Sequence, residues 1–161
     1  MTDVRDNIVA WAKWAAAHHE KFHYTQGPLR MGNIGKPGLL PVYADCSSFI
    51  TLCYNWAGAP DPNGMSYNHT GYTGTLLSHG KKIALKDVLP GDVIVYGSGT
   101  GEHTALIVGY HGGNNPLTIS HGQESDPSYV HVNQDGRKPQ TYLRFNTNAM
   151  TARGIHTPPA K

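Results

Sequence analysis

Cysteine is scarce in this chain. Two thiols, Cys46 and Cys53, serve 161 residues, and at that spacing on one helix their Cα atoms stand about 10 Å apart, beyond disulfide reach. A disulfide-stapled scaffold is excluded, and both cysteines are expected as free thiols. Charge is scarce too. Asp, Glu, Lys and Arg make up 15% of the chain, the net charge is +2, and no Lys/Arg cluster occurs. That balance tolerates a polyanionic partner but argues against a nucleic-acid binder. No apolar run approaches the ~20 residues of a membrane span, so no membrane insertion is expected. The first twenty residues carry charges throughout and lack the apolar core of a signal peptide. Synthesis in a cytoplasm is therefore expected, with release by another agent before any work outside the cell.

Against these shortages stand 19 glycines, 11 prolines and ten histidines, with 39% hydrophobic residues. This composition describes a loop-rich globular protein large enough to bury a core without staples. We expect one domain over 1–146, a polar tail or linker stub over 147–161, and a monomer. Residues 4–23 have helical periodicity, with Val4, Ile8, Trp11, Ala15 and Phe22 on one stripe and His18 on the same side. A Gly/Pro-rich loop follows. Asp45 is a good N-cap and Gly58 a good stop, which predicts a second helix starting at Cys46. Beyond a region rich in Gly, Asn and Tyr, runs at 93–96, 104–110, 117–121, 129–132 and 141–145 read as strands. Helices first and antiparallel strands afterwards predict an α+β domain.

The stretch His19-Glu20-Lys21-Phe22-His23 spells H-E-x-x-H, the zinc-hydrolase pattern in which two histidines bind metal and a glutamate activates water. A catalytic zinc needs a third ligand. The extended pattern fails, because Gln26 and Leu29 stand where glycine and histidine are required. The bland alternative is the end of an amphipathic helix, and no metal is expected.

A stronger signal is Asp45-Cys46-Ser47, where a loop becomes a helix. The dipole and unpaired N–H groups of a helix start favour thiolate, the nucleophilic form, and the same N–H groups can hold an oxyanion. Cys53 fits the common fate of a free cysteine, a small buried hydrophobe. A nucleophile needs a base, and the base needs orienting. His103 starts one strand and His121 ends the next, so a hairpin returns His121 near His103; the sequence leaves the register open. His69, His79, His111, His131 and His156 read as solvated. Tyr67 and Tyr72 are weaker candidates for a peptide groove.

The segments DCSSFITLCYNWAG, LPGDVIVY, EHTALIVG and ISHG, in this order, resemble the NlpC-type (NlpC/p60) cell-wall cysteine peptidases. The resemblance covers roughly residues 20–125. It implies a papain-like fold, N-terminal helices on an antiparallel sheet with the nucleophile at a helix N-terminus. It also implies cleavage of an amide bond in peptidoglycan stem peptides by a Cys-His-His triad, without cofactor. By motif, Cys46 matches the nucleophile, His103 the base and His121 the third polar residue. Tyr24 matches a tyrosine that helps the oxyanion site, with Tyr43 as the other candidate; Asp45 and Ser47 flank the nucleophile. TLCYNWAGAPDPNG and GYTGTLLSHG look more particularly like peptidase modules of phage lysins that attack actinobacterial walls. A CHAP-like amidase and a non-catalytic wall-binding or phage structural module are the other readings.

Overall fold

A computed structural model describes residues 4–147 and 157–159; within the expected tail, 148–156 and 160–161 lie outside the described residues. Helix α1 (Val4–Ala17) buries Val4, Ile8, Trp11 and Ala15, the stripe that periodicity marks. It ends earlier than predicted, and His18 supplies the reason. The His18 ring stacks on Trp14 with centroids 4.3 Å apart, and its Nδ1–H donates to the Trp14 carbonyl at 2.7 Å. The His18 amide reaches only the Ala15 carbonyl, tightening the chain into a 3-10 turn over His19–Lys21. Strand β1 (Phe22–Tyr24) follows at once. Phe22 is therefore buried from a strand, not from a helix.

Strand β1 pairs in parallel with β2 (Val42–Ala44), in the register Phe22↔Val42, His23↔Tyr43 and Tyr24↔Ala44. These three-residue strands are too short for a period-2 signal: the sequence pattern places Phe22 and His23 at the end of the first helix, and Tyr24 and 42–44 in the loop that follows. β2 delivers the chain into α2 (Cys46–Ala57), which begins and ends where its capping residues predict. Its stop, Gly58, has φ of +86°, a left-handed conformation that glycine adopts without steric cost. Trp11 of α1 meets Trp56 of α2 edge-on at 4.9 Å, so the two helices pack through their indoles.

A short helix, α3 (Thr73–His79), precedes a six-stranded antiparallel sheet. Its strands are β3 (Lys81–Ile83), β4 (Val93–Tyr96), β5 (His103–Gly109), β6 (Leu117–Ser120), β7 (Ser128–His131) and β8 (Gln140–Arg144), in the spatial order β3-β8-β4-β5-β6-β7. β4 matches the sequence prediction, the next four strands agree within a residue at each end, and β3 was not anticipated. Both faces of the central strands are covered. Val93, Val95, Leu106, Val108, Ile119 and Leu143 face the α1–α2 layer, whereas Ile94, Tyr96, Ala105, Ile107 and Tyr142 join Val88 and Val132 on the other side. Fully buried Asp92 accepts from Arg5 of α1 at 2.9 Å and from Arg144 of β8 at 3.0 and 2.8 Å. One desolvated carboxylate, paired as a buried charge must be, thus ties the first helix to the sheet. The fold is the α+β class expected, with α2 presenting its N-terminus toward the start of β5.

Candidate active site

The N-terminus of α2 is closed by a reciprocal cap. Asp45 Oδ1 accepts from the Ser48 amide at 3.0 Å and from the Ser48 hydroxyl at 2.7 Å, while Ser48 Oγ accepts from the Asp45 amide at 2.7 Å. Arg30, carried by the loop between β1 and β2, lies 3.1 Å from Asp45 Oδ1 and donates to Ser47 Oγ at 2.8 Å. Nothing in its sequence surroundings marks Arg30, because its importance comes from the path of that loop. Asp45 and Ser47 are buried, and Cys46 is the partly exposed first residue of the helix.

Burial, and next the Asp45 carboxylate, push the Cys46 thiol above its ordinary value. The backbone N–H groups of Thr104 and Ser47 and the Arg30 guanidinium pull the other way without prevailing. This corrects the expectation that the helix start holds Cys46 ionised: the cap that builds the helix also sets a negative charge beside the sulfur. The Thr104 contact places the thiol against the start of β5, one residue from His103.

His103 is buried and faces Tyr96, its cross-strand partner; the two rings stack with centroids 5.8 Å apart and planes 14° apart. Desolvation, with Arg137 adding, lowers His103 to about 4, against opposing pulls from Asp135 and Asp126. At neutral pH it is an uncharged imidazole able to accept a proton.

His121 was expected to hold the second nitrogen of His103, and the structure shows no such hydrogen bond. The β5–β6 register, Leu106↔Ile119, continued outward sets Gly122 rather than His121 across from His103. A Cβ placed on Gly122 would lie 3.1 Å from His103 Cε1. His121 turns to the opposite face, where its ring meets Tyr24 at 5.7 Å and Phe22 and Phe49 at 6.2 Å. Its nitrogens are buried without a hydrogen bond of ordinary geometry, and desolvation lowers its pKa. The group beside Gly122 is Asp126, whose Oδ2 accepts from the Gly122 amide at 2.7 Å. An acid in the segment after His121 was a visible signal that sequence reasoning passed over.

Tyr24 and Tyr43 separate cleanly. Tyr43 lies against His23, ring centroids 5.3 Å apart. The Tyr24 hydroxyl feels both Cys46 and Asp45; burial first, and these two next, raise its pKa. Glu124, also unmarked by the sequence reading, fastens this strand, accepting from the Tyr24 amide and from His23 Nδ1 at 2.7 Å each.

Tyr67 is buried and its hydroxyl donates to the Ala59 carbonyl, so it lines no groove, while Tyr72 is exposed at the start of α3. His69, His79, His111 and His131 are exposed, and His156 lies outside the described residues. His19 and His23 fall on a 3-10 turn and a strand, so they do not share the helix face that the zinc pattern requires. Among the described residues no group of three or more His, Cys, Asp or Glu is arranged to hold a metal ion. A surface cavity of about 580 Å³ lined by Arg5, His79, Lys81 and Arg144 shares no residue with the Cys46 cluster.

No family model matches the sequence, and no curated protein does. Solved structures do. The chain is similar to the peptidoglycan hydrolase RipB of Mycobacterium tuberculosis at 20% identity and a TM-score of 0.52, over 87% of this chain and 65% of RipB. It thus spans less than two thirds of that relative. RipD of the same organism, a non-catalytic NlpC/p60 domain protein adapted to peptidoglycan binding, matches at 20% identity and a TM-score of 0.54, over 89% of this chain and 98% of RipD. A lipoprotein-like NLP/P60 family protein of Staphylococcus aureus matches at 20% identity and a TM-score of 0.55, over 90% of this chain and 44% of that one. The chain therefore has the fold of the NlpC/p60 domains.

Proposed function

We propose that this protein is a peptidoglycan hydrolase that cleaves an amide bond of the stem peptide by cysteine catalysis, in the manner of a phage lysin. The observation that carries the reading is the Cys46 thiol at the N-terminus of α2, set against the Thr104 amide at the start of the strand that carries His103. The resting pair is neutral thiol and neutral imidazole. Attack begins when the thiol proton passes to His103 and sulfur adds to the scissile carbonyl. The Cys46 amide, one of the unpaired donors of a helix start, and the Tyr24 hydroxyl stabilise the oxyanion. His103 then gives its proton to the departing amine, leaving a thioester on Cys46. Water, deprotonated by His103, releases the new carboxylate and restores the thiol.

The test is digestion of purified actinobacterial wall, with products identified by mass. Peptides with a new free amine inside the stem support the endopeptidase reading. Release of whole stems from the glycan points to a CHAP-like amidase, and no product from wild-type protein removes the hydrolase reading. A second reading has specific support: the raised thiol and the missing His103–His121 hydrogen bond suit a non-catalytic wall-binding module, as RipD is. In that case Cys46→Ala binds wall as wild type does, and neither protein cuts it.

A further inference from the structure

His103 lacks the hydrogen bond from His121 that a triad would supply, yet it is packed in a defined pose. One face of the ring lies on Tyr96, and Gly122 leaves so little room at Cε1 that a Cβ there would require a shift. Tyr96 is in turn covered: the Arg137 guanidinium lies over its ring, 6.0 Å from the centroid. Arg137 is fixed by Asp135, with Nε and Nη2 on the two carboxylate oxygens at 3.0 and 2.6 Å and its amide on Oδ1 at 2.9 Å. Such a fork holds a guanidinium in one plane.

We propose that Arg137, clamped by Asp135 and laid over Tyr96, is a positioning residue of the base. It holds the tyrosine plate on which His103 stacks and presents a cation toward the imidazole. The inference rests on the hydrolase reading for its catalytic consequence, but the placement stands without it. The charged and titratable groups around His103 are Tyr96 from β4, Asp135 and Arg137 from the connection into β8, and Asp126 from the connection after β6. The Cys46 thiol lies against the next residue, from α2. Of these, Arg137 is the cation that disfavours the imidazolium, and Asp135 both holds it and partly offsets it. The balance keeps the base uncharged while the ring stays seated. Tyr96 carries out the seating, because its cross-strand register with His103 fixes the distance between the rings.

The experiment is an NMR titration of the His103 ring in histidine-labelled protein, assigned by His103→Gln, with the pH profile of wall digestion alongside. Arg137→Met should move the His103 midpoint upward by roughly half to one pH unit, the effect of removing a nearby cation at a partly exposed site. The acid limb of kcat/KM should move by the same amount, and the plateau above it should fall by roughly a few-fold as the Tyr96 plate loosens. Arg137→Lys should restore most of the midpoint, because it keeps the charge. Tyr96→Leu should broaden or displace the His103 resonances through loss of the plate. Arg137→Gln repeats the test should the methionine variant fold poorly. A midpoint unchanged in both neutral variants overturns the proposal, as does a shift that lysine fails to restore. Failure of the hydrolase reading looks different: the midpoint shifts as expected while the wild-type protein cuts no wall.

Discussion

Cys46 and Cys53 are the same side chain on the same helix, about two turns apart. Cys53 lies inside the apolar cluster between α1, α2 and the sheet, and desolvation alone drives its thiol far above the ordinary range. The Cys46 thiol is also raised, but by burial and a carboxylate working against two backbone amides and a guanidinium. The direction of shift is shared and the chemistry is not. Around Cys53 nothing can stabilise a negative sulfur. Around Cys46 three donors stand ready for one, and a neutral imidazole begins the adjoining strand. The proposed nucleophile is thus distinguished from Cys53 by what its anion would meet, not by how readily it ionises at rest.

The widest separation between the two cysteines should appear in wall digestion. Cys46→Ala removes the attacking atom and is expected to lower the rate by at least ~1000-fold, the scale on which single members of a catalytic set act. His103→Gln should cost a comparable factor, because the proton on sulfur then has no acceptor. Cys53→Ser should stay within a few-fold of wild type. Equal losses from the two cysteine variants would erase the contrast. Reaction with iodoacetamide sharpens it further. In the folded protein peptide mapping should find the label on Cys46 alone, with a rate that climbs about tenfold per pH unit between pH 7 and 8, as for a thiol below its pKa. A plateau already at neutral pH would mean that sulfur is ionised at rest and that Asp45 does not control it.

The same contrast marks how far the sequence could be read. Helix α2 was fully legible, since Asp45, the apolar face and Gly58 are local signals written within the element itself. So were the five longer strands, whose alternation or uniform burial is again local. The end of α1 was not, because His18 takes the Trp14 carbonyl through its ring, and no propensity scale contains that bond. The partners of the two cysteines differed in kind. The fate of Cys53 followed from its place on the helix stripe, whereas Arg30, Glu124, Asp126 and Arg137 reach the site from loops distant in sequence. His121 shows the limit most sharply. Its nearness to His103 in a hairpin was foreseeable, but a register set by Leu106↔Ile119 turns it to the other face, and register cannot be read from two short runs.

Acid stability tests whether His103 is as dry as its packing implies. An unfolded histidine takes up a proton near pH 6.5, whereas folded His103 does so only at about 4. Between those values the unfolded chain binds more protons, so stability falls as pH falls through that window and is fully present above it. The loss from this group is on the order of 3 kcal/mol at its largest. His121, also lowered, acts in the same direction. Urea midpoints at pH 7 and pH 5 should differ markedly in wild type and less in His103→Gln. Parallel pH dependence in the two proteins would show that His103 is already hydrated.

The smallest effect returns to the two thiols. Cys53→Ala deletes one buried heavy atom from a packed cluster and should cost about 1 kcal/mol, comparable to losing a single methyl group. Cys46→Ala acts at a partly exposed helix start whose cap is made by Asp45 and Ser48, not by the thiol. It should leave stability within about 0.5 kcal/mol of wild type. Denaturant midpoints at constant m-value resolve both changes. The orders of importance then cross: the cysteine that matters most for cutting matters least for folding. A Cys46→Ala variant markedly more stable than wild type would contradict this and show that the thiol beside Asp45 is held at a cost to the fold. A destabilised one would make Cys46 a packing residue like its neighbour two turns on.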